Sequence, residues 1–511
     1  MTATPAPGRL AAGHPLALLL APLAGAALPL AYAPFDLWPL ALLLPALLLW
    51  LLDGERAGRA ALLGLLFGLG AFGVGIWWIY VSLHTYGNAP PAFAALATAL
   101  VVLTMAAYPA AFAALLARLA PAPGARRWLL AAPALWALLE WVRSWALSGF
   151  PWLALGYSQI DTPLAGFAPL VGVFGVGWAA MLLAGLLRLA AQRLRPGGGP
   201  RRGGGFALLA AAAVLALGAG LGRLEWTQPD GPPLRVALAQ GNISQELKWR
   251  PEKLAETLER YAELTREAGP QDVIIWPETA IPIFFEELED GFVADLRAYA
   301  AASGTDFLVG TPAGSRRDRV YRNAVAAIGR SPGFYYKQRL LPFGEYLPLR
   351  GLFAIFRDLV EIPMADFTAG DADQPLLRVA GRPVGVSICF EAVFGADVRR
   401  TLPEAAFLVN VSNDAWFGDS IAPHQHLQIA RMRARETGRA LARATNTGIT
   451  ALVGADGRIE ARAPAFVPAL LRGSVQPRRG ATPYVRVGDG PVVFAAGLVL
   501  GLAAFARRRR P

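Results

Sequence analysis

The first 225 residues hold seven apolar runs, each close to the ~20 residues that a helix needs to cross a hydrocarbon core. No arrangement of soluble layers accommodates that pattern, because in lipid only helices and closed barrels satisfy their own backbone. The runs lie at residues 15–33, 37–52, 60–83, 92–117, 128–147, 164–191 and 206–221, and an eighth follows at 491–506. Composition agrees, with 55% hydrophobic and 17% charged residues, where soluble domains carry about 45–50% and about 25%. The connections alternate in charge. Arg56 and Arg59, then Arg118, Arg126 and Arg127, then Arg188, Arg193, Arg195, Arg201 and Arg202 occupy every second one, whereas 34–36, 84–91 and 148–163 contain no Lys or Arg. Basic connections stay on the cytoplasmic side, which places both termini inside and the chain after Leu221 outside. The net charge of +11 therefore reads as topology, and nucleic-acid binding is not expected. The first run ends in Ala31-Tyr32-Ala33 and so also fits a signal peptide with an A-x-A site. It is long for a signal core and is read as a first transmembrane helix.

Between Glu225 and Val487 the texture changes to frequent charges and short apolar runs separated by helical patterns. Strands are expected at 234–240, 272–276, 307–310, 321–328, 384–389 and 405–411, and helices at 252–267, 291–302 and 425–443. Near-continuous apolar strands alternating with helices predict an α/β domain with helix-covered sheets. The expected domains are thus a seven-span membrane domain at 1–224, a globular domain at 225–487 and a C-terminal transmembrane helix with an Arg tail at 488–511. The Gly/Arg-rich stretch 195–205 reads as a connector.

Ligands collect at the carboxyl ends of strands in such sheets. Val273-Ile274-Ile275-Trp276-Pro277 ends in Glu278, Val384-Gly385-Val386-Ser387-Ile388 ends in Cys389-Phe390-Glu391, and Phe407-Leu408-Val409 ends in Asn410-Val411-Ser412-Asn413-Asp414. Between the first two lie Tyr335-Tyr336-Lys337 and Pro342-Phe343-Gly344-Glu345-Tyr346. Taken singly, Cys389 reads as a small buried hydrophobe, Glu278 as a loop carboxylate and Lys337 as a solvated charge. Lysine is scarce, however: only Lys248, Lys253 and Lys337 stand among 48 basic residues. A site that needs a compact ammonium cannot substitute the planar fork of Arg. Cys389 is the only cysteine, so no intrachain disulfide and no CxxC metal or redox site is expected. Glu140 and Arg143, one helical turn apart in the fifth run, read as a mutually satisfied pair that anchors the loop 149–152.

In the order Glu278, Lys337, Cys389 these residues resemble the triad of the nitrilase, or carbon–nitrogen hydrolase, superfamily. The types fit nucleophilic chemistry: a carboxylate takes the thiol proton, and an ammonium favours the thiolate and then the oxyanion, aided by backbone N–H groups. The topology narrows the likeness. Gly149-Phe150-Pro151-Trp152, Gly156-Tyr157-Ser158-Gln159, Gln240-Gly241-Asn242, Trp276-Pro277-Glu278-Thr279, Pro342-Phe343-Gly344-Glu345-Tyr346, Cys389-Phe390-Glu391, Asn413-Asp414-Ala415-Trp416-Phe417, His426 and Ala430-Arg431-Met432-Arg433-Ala434 together resemble the membrane branch of that superfamily, the bacterial apolipoprotein N-acyltransferases.

The resemblance implies a polytopic α-helical membrane domain with an extracytoplasmic αββα nitrilase-like sandwich, in the cytoplasmic (inner) membrane of a bacterium. It implies Glu278 as general base, Lys337 as oxyanion stabiliser and Cys389 as nucleophile, supported by Glu345, Glu391 and Phe390. Trp249, Trp416, Phe343, Tyr346 and Asn413 are implied as substrate contacts. Phe390 stands where many relatives carry Tyr, and His424 where an aromatic is expected. The implied reaction passes an acyl chain from a membrane phospholipid, typically phosphatidylethanolamine, through a Cys389 thioester to the α-amine of a diacylglyceryl-cysteine apolipoprotein, without metal or organic cofactor. Two apolar stretches, 281–285 and 352–356, read either as mobile arms over the site or as core loops. Competing readings are a membrane-tethered nitrilase-like amide or ester hydrolase, a transporter with a receptor domain, and a lipoprotein-binding scaffold.

Overall fold

A computed structural model describes residues 14–194, 201–315, 320–342, 344–346 and 367–508. Phe343 and the stretch 352–356 lie outside the described residues. The chain divides into two compact units, one of 1–77, 95–224 and 487–511, the other of 78–94 and 225–486.

The first unit is helical. Among the described residues, five helices are long and apolar enough to cross a membrane, at Ala57–Gly75, Pro91–Leu119, Pro163–Leu194, Gly203–Leu221 and Gly490–Arg507, and Leu16–Ala31 and Leu40–Leu51 are shorter apolar helices. Two expected runs break. The third stops at Gly75, where Ile76 leaves helical geometry, and a separate turn begins at Trp78. The fifth starts as a π-turn, Arg126–Ala131, and continues as the helix Ala132–Arg143. Close helix crossing depends on small residues: a Cβ on Gly25 would lie 1.9 Å from the Phe67 carbonyl oxygen. Glu140 and Arg143 stand 4.0 Å apart and work mainly on the following loop, as the pair-as-anchor reading expects. Arg143 Nη1 donates to the Phe150 and Trp152 carbonyls, and Glu140 Oε1 accepts from Trp136 Nε1 at 2.9 Å and the Leu155 N–H at 2.8 Å.

The second unit is built on two six-stranded sheets. One runs Ala469–Val475, Leu234–Gln240, Val273–Ile275, Asp306–Ser315, Val320–Ile328, Gly333–Tyr336, with its second to fourth strands parallel. The other runs Ile459–Arg462, Ala451–Val453, Leu441–Thr445, Phe407–Ser412, Arg382–Ile388, Leu377–Val379, with its third to fifth strands parallel. Strand side chains alternate faces, and here both faces are buried. Val236, Leu238, Val273, Ile275 and Leu308 of the first sheet meet Val384, Val386, Ile388, Phe407 and Val409 of the second in one core. Ala237, Ile274, Trp276 and Phe307 point outward beneath Tyr261, Leu264, Val293 and Leu296 of the helices Leu254–Ala268 and Phe292–Ser303. Leu408, Leu441 and Val453 lie beneath Leu427, Ala430 and Ala434 of the helix Ala422–Thr437. The layers are helix, sheet, sheet, helix, which is the expected sandwich.

One expected helix is too long. The pattern over 425–443 ends as a helix at Thr437, because Gly438 adopts a left-handed φ of 63° and caps it. Leu441–Thr445 then forms a strand beside Phe407–Ser412. Of the two arm candidates, 281–285 is core: Ile281 is fully buried and Phe285 packs edge-on against Phe334.

Candidate active site

Glu278, Lys337 and Cys389 emerge from strand ends of the two sheets, and three local features set them in place. Gly310 has no Cβ, and one built there would lie 2.2 Å from the Pro277 carbonyl oxygen, so the loop carrying Glu278 passes close over the neighbouring strand. Lys337 follows Gly333–Tyr336, and its N–H donates to the Asn323 carbonyl over 2.8 Å. Cys389 ends Arg382–Ile388 with a φ of 51° and opens the 3₁₀ turn Cys389–Val393. A non-glycine residue in that conformation is held there by its surroundings.

The Lys337 Nζ stands 2.9 Å from Glu345 Oε1 and 3.5 Å from Glu278 Oε1. Asn323 Nδ2 donates to the same two oxygens at 2.9 and 2.8 Å, and the Asn413 N–H donates to Glu278 Oε2 at 2.8 Å. Glu345 Oε2 accepts from the Leu341 N–H at 2.8 Å. Burial of Lys337 works against its charge, yet the carboxylates of Glu345 and Glu278 outweigh it and hold the ammonium well above its ordinary value. Cys389 is partly exposed. Burial and the Glu278 charge push its thiol well up, against the pull of Lys337. Both influences favour the protonated thiol at Cys389, beside the Lys337 ammonium.

Glu391 is buried and fully engaged. It accepts from the backbone N–H groups of Ile388, Gln338 and Arg339 and from the Tyr335 hydroxyl at 3.0 Å. It ties the loop after Lys337 to the turn that bears Cys389, and burial raises its pKa. Phe390 is buried with its ring edge-on to Phe394. Asn413 also joins Gln245 and Asn446 through its side chain. Tyr346 closes the turn after Pro342, and Trp249 and Trp416 stand half-exposed on the turns that carry Lys248 and Asn413.

Two residues of the site escape a reading by motif. Asn323 looks like any strand polar residue, and only its pairing opposite Lys337 reveals it. Lys248 is buried beside the triad, with its Nζ 3.2 Å from the Glu278 carbonyl. Burial lowers its pKa to about 8, against the raising charges of Glu278 and Cys389. The scarcity of lysine that marks Lys337 marks Lys248 equally.

Residues 24–186 match the family model described as the apolipoprotein N-acyltransferase N-terminal domain, and residues 235–484 match that of carbon-nitrogen hydrolase. The apolipoprotein N-acyltransferase of Methylococcus capsulatus is 48% identical over 97% of this chain and 97% of its own length. The chain belongs to the apolipoprotein N-acyltransferase family. The relative from Vibrio cholerae is 41% identical over 96% of this chain and 97% of its own. Among solved structures, a carbon-nitrogen hydrolase superfamily protein from Xanthomonas campestris aligns at 19% identity over 48% of this chain and 91% of its own, with a TM-score of 0.36. Within an N-acyltransferase family, a thiol, two carboxylates and an ammonium in one cluster are the parts from which an acyl-enzyme is made.

Proposed function

We propose that this protein is an apolipoprotein N-acyltransferase in which Cys389 is the nucleophile, Glu278 the general base and Lys337 the oxyanion stabiliser, with Glu345 fixing the lysine. The observation that carries the reading is the Lys337 ammonium bridging Glu278 and Glu345 beside the only cysteine of the chain. Residues 225–487 hold the catalytic domain, facing the extracytoplasmic side of the inner membrane. Residues 1–224 form the seven-span membrane domain and 488–511 a last transmembrane helix, with both termini cytoplasmic. Arginines on every second connection and none on the others support that orientation.

Glu278 takes the Cys389 proton as the sulfur attacks the ester carbonyl of a phospholipid, phosphatidylethanolamine in the first instance. Lys337 and backbone N–H groups beside Cys389 hold the oxyanion. Collapse expels the lysophospholipid alkoxide, which recovers the proton from Glu278 and leaves a thioester. The α-amine of an S-diacylglyceryl-cysteine apolipoprotein then attacks the thioester, Glu278 accepts the amine proton, and the thiolate leaves and is reprotonated. The direction is downhill overall, since a thioester is discharged into an amide. Both substrates keep their chains in the bilayer, and the thioester survives only if water is excluded. Glu391 and Phe390 shape the nucleophile turn. Trp249, Trp416, Tyr346 and Asn413 are the substrate contacts of this reading.

Intact mass of the detergent-solubilised protein, after incubation with phosphatidylethanolamine and no acceptor, tests the reading. An acyl adduct is expected on wild type and on no Cys389→Ser sample, and it disappears on adding a diacylglyceryl-cysteine peptide. Steady fatty-acid release with no adduct would make the protein a hydrolase.

A further inference from the structure

We propose that His426, set by Arg443 and Asp414, is a positioning residue for acyl transfer: it grips the Cys389 carbonyl and thereby aims the peptide that joins Cys389 to Phe390. The inference rests on Cys389 being the nucleophile. Its ground is a buried ionic cluster behind that residue. His426 and Arg443 are fully buried, and Asp414 is 1% exposed. His426 Nε2 lies 3.1 Å from the Cys389 carbonyl oxygen, which also accepts from Asn410 Nδ2 at 3.4 Å. His426 Nδ1 lies 3.0 Å from Arg443 Nη2 and 3.2 Å from Asp414 Oδ1. Arg443 Nη2 also donates to Asp414 Oδ2 at 2.8 Å, Arg443 Nη1 donates to Asn410 Oδ1, and the Ser412 hydroxyl donates to Asp414 Oδ1 at 2.7 Å.

The acceptors fix one hydrogen. A carbonyl oxygen only accepts, so Nε2 carries a hydrogen; the opposite tautomer would set two lone pairs face to face at 3.1 Å. Nδ1 lies between a donor, Arg443 Nη2, and an acceptor, Asp414 Oδ1, so the neutral Nε2–H ring and the imidazolium both keep the grip on the Cys389 carbonyl. Burial first, then the Arg443 charge, favour the neutral ring, against the pull of Asp414.

The consequence follows from the peptide plane. In a trans peptide the C=O and the next N–H point in opposite directions. Fixing the Cys389 oxygen on one side therefore fixes the direction of the Phe390 N–H on the other, at the turn where the oxyanion forms. The same grip holds Cys389 at its φ of 51°. From the other flank, the Ile388 N–H is held by Glu391 Oε2 at 2.7 Å.

A pair of variants separates aiming from packing. His426→Gln keeps one donor for the carbonyl and one acceptor for Arg443, whereas His426→Phe keeps the bulk alone. With dipalmitoyl phosphatidylethanolamine as donor and a diacylglyceryl-cysteine peptide as acceptor, His426→Phe is expected to lose roughly 10- to 100-fold in kcat with KM within about twofold. That is less than the 10²–10³ of deleting an oxyanion donor outright. His426→Gln is expected to restore most of the loss. Wild-type kcat in His426→Phe, or equal losses in both variants, overturns the proposal. A measurement on the intact protein guards against misfolded variants. The chain has four histidines, so the ¹⁵N solid-state spectrum at neutral pH is tractable, and a buried neutral Nε2–H ring is expected. A neutral Nδ1–H ring at His426, with no hydrogen on Nε2, also overturns the proposal. Cys389→Ala tells the two readings apart: if it still transfers acyl groups, the nucleophile assignment fails, and if it is dead while His426→Phe is fully active, only the positioning role fails.

Discussion

Asn413 donates its backbone N–H to Glu278 Oε2 over 2.8 Å, so a residue following a strand of one sheet grips a carboxylate carried by the other. That donor is main chain and survives any substitution at 413 except proline. The opposite oxygen of Glu278 is served by side chains, Asn323 and Lys337, and there the site is open to perturbation.

Asn323→Leu removes a donor shared by two buried carboxylates. The orphaned acceptors are expected to drift, and kcat for acyl transfer falls about 10- to 100-fold, on the order of the 1–3 kcal/mol that an unmet buried polar group costs. Steady-state kinetics in mixed micelles measures it. Turnover equal to wild type would remove Asn323 from the site.

Glu345→Gln keeps the shape and deletes the nearer of the two charges that hold the Lys337 ammonium up. Lys337 then titrates at lower pH, and the alkaline limb of the kcat profile is expected to move downward. A pH profile of Glu345→Gln that overlays wild type contradicts this account.

Glu278→Gln separates nucleophile formation from reactivity. The Glu278 charge is, after burial, the main influence raising the Cys389 thiol, so its removal makes the thiolate easier to form. Alkylation by iodoacetamide at pH 8–9 is expected to quicken while acyl transfer is abolished for want of a base. Cys389 is the only cysteine, so total alkylation reports it alone. Slower alkylation in Glu278→Gln would reverse the electrostatic picture.

Lys248 carries a stability signature. Its pKa is about 8 in the fold and about 10.4 unfolded. Below pH ~8 both states are charged and the burial cost is complete. From there to pH ~10.4 the unfolded chain binds more protons, so stability rises with pH. Lys248→Met is thus expected to be more stable than wild type at pH 7, by about 2 kcal/mol once the lost bond to the Glu278 carbonyl is counted. The gap closes towards pH 10. Thermal melts across that range decide it, and a gap that widens with pH refutes it.

Much of this was legible in the chain itself. The six expected strands lie within a few residues of those found, because each is buried on both faces and reads as a continuous apolar run. Glu278 and Cys389 were visible because each follows such a run. The helix pattern over 425–443 overshot because Leu441, Ala442 and Ala444 are apolar in either structure, and only the conformation of Gly438 separates them. Lys248 and Asn323 were not visible, since a polar residue on a short turn or mid-strand gains meaning from what folds against it. The apolar run 60–83 and the connection 84–91 predict that most of the segment 78–94 is a membrane helix end and its loop. It groups instead with the sandwich, where the Ser82 hydroxyl donates to the Trp416 carbonyl over 2.7 Å. That contact spans 334 positions of sequence, and no local pattern encodes it.

Glu278 and Lys337 hang from one sheet and Cys389 from the other, so the apolar layer between the sheets acts as a gauge block whose thickness sets the distance from the Glu278 carboxylate to the Cys389 thiol. Trimming Val409 or Leu238, whose side chains fill that layer, alters the packing that sets this spacing. The interior of this domain is therefore answerable to two demands at once, holding the fold and holding a tolerance, and close packing is what lets grease keep an enzyme in register.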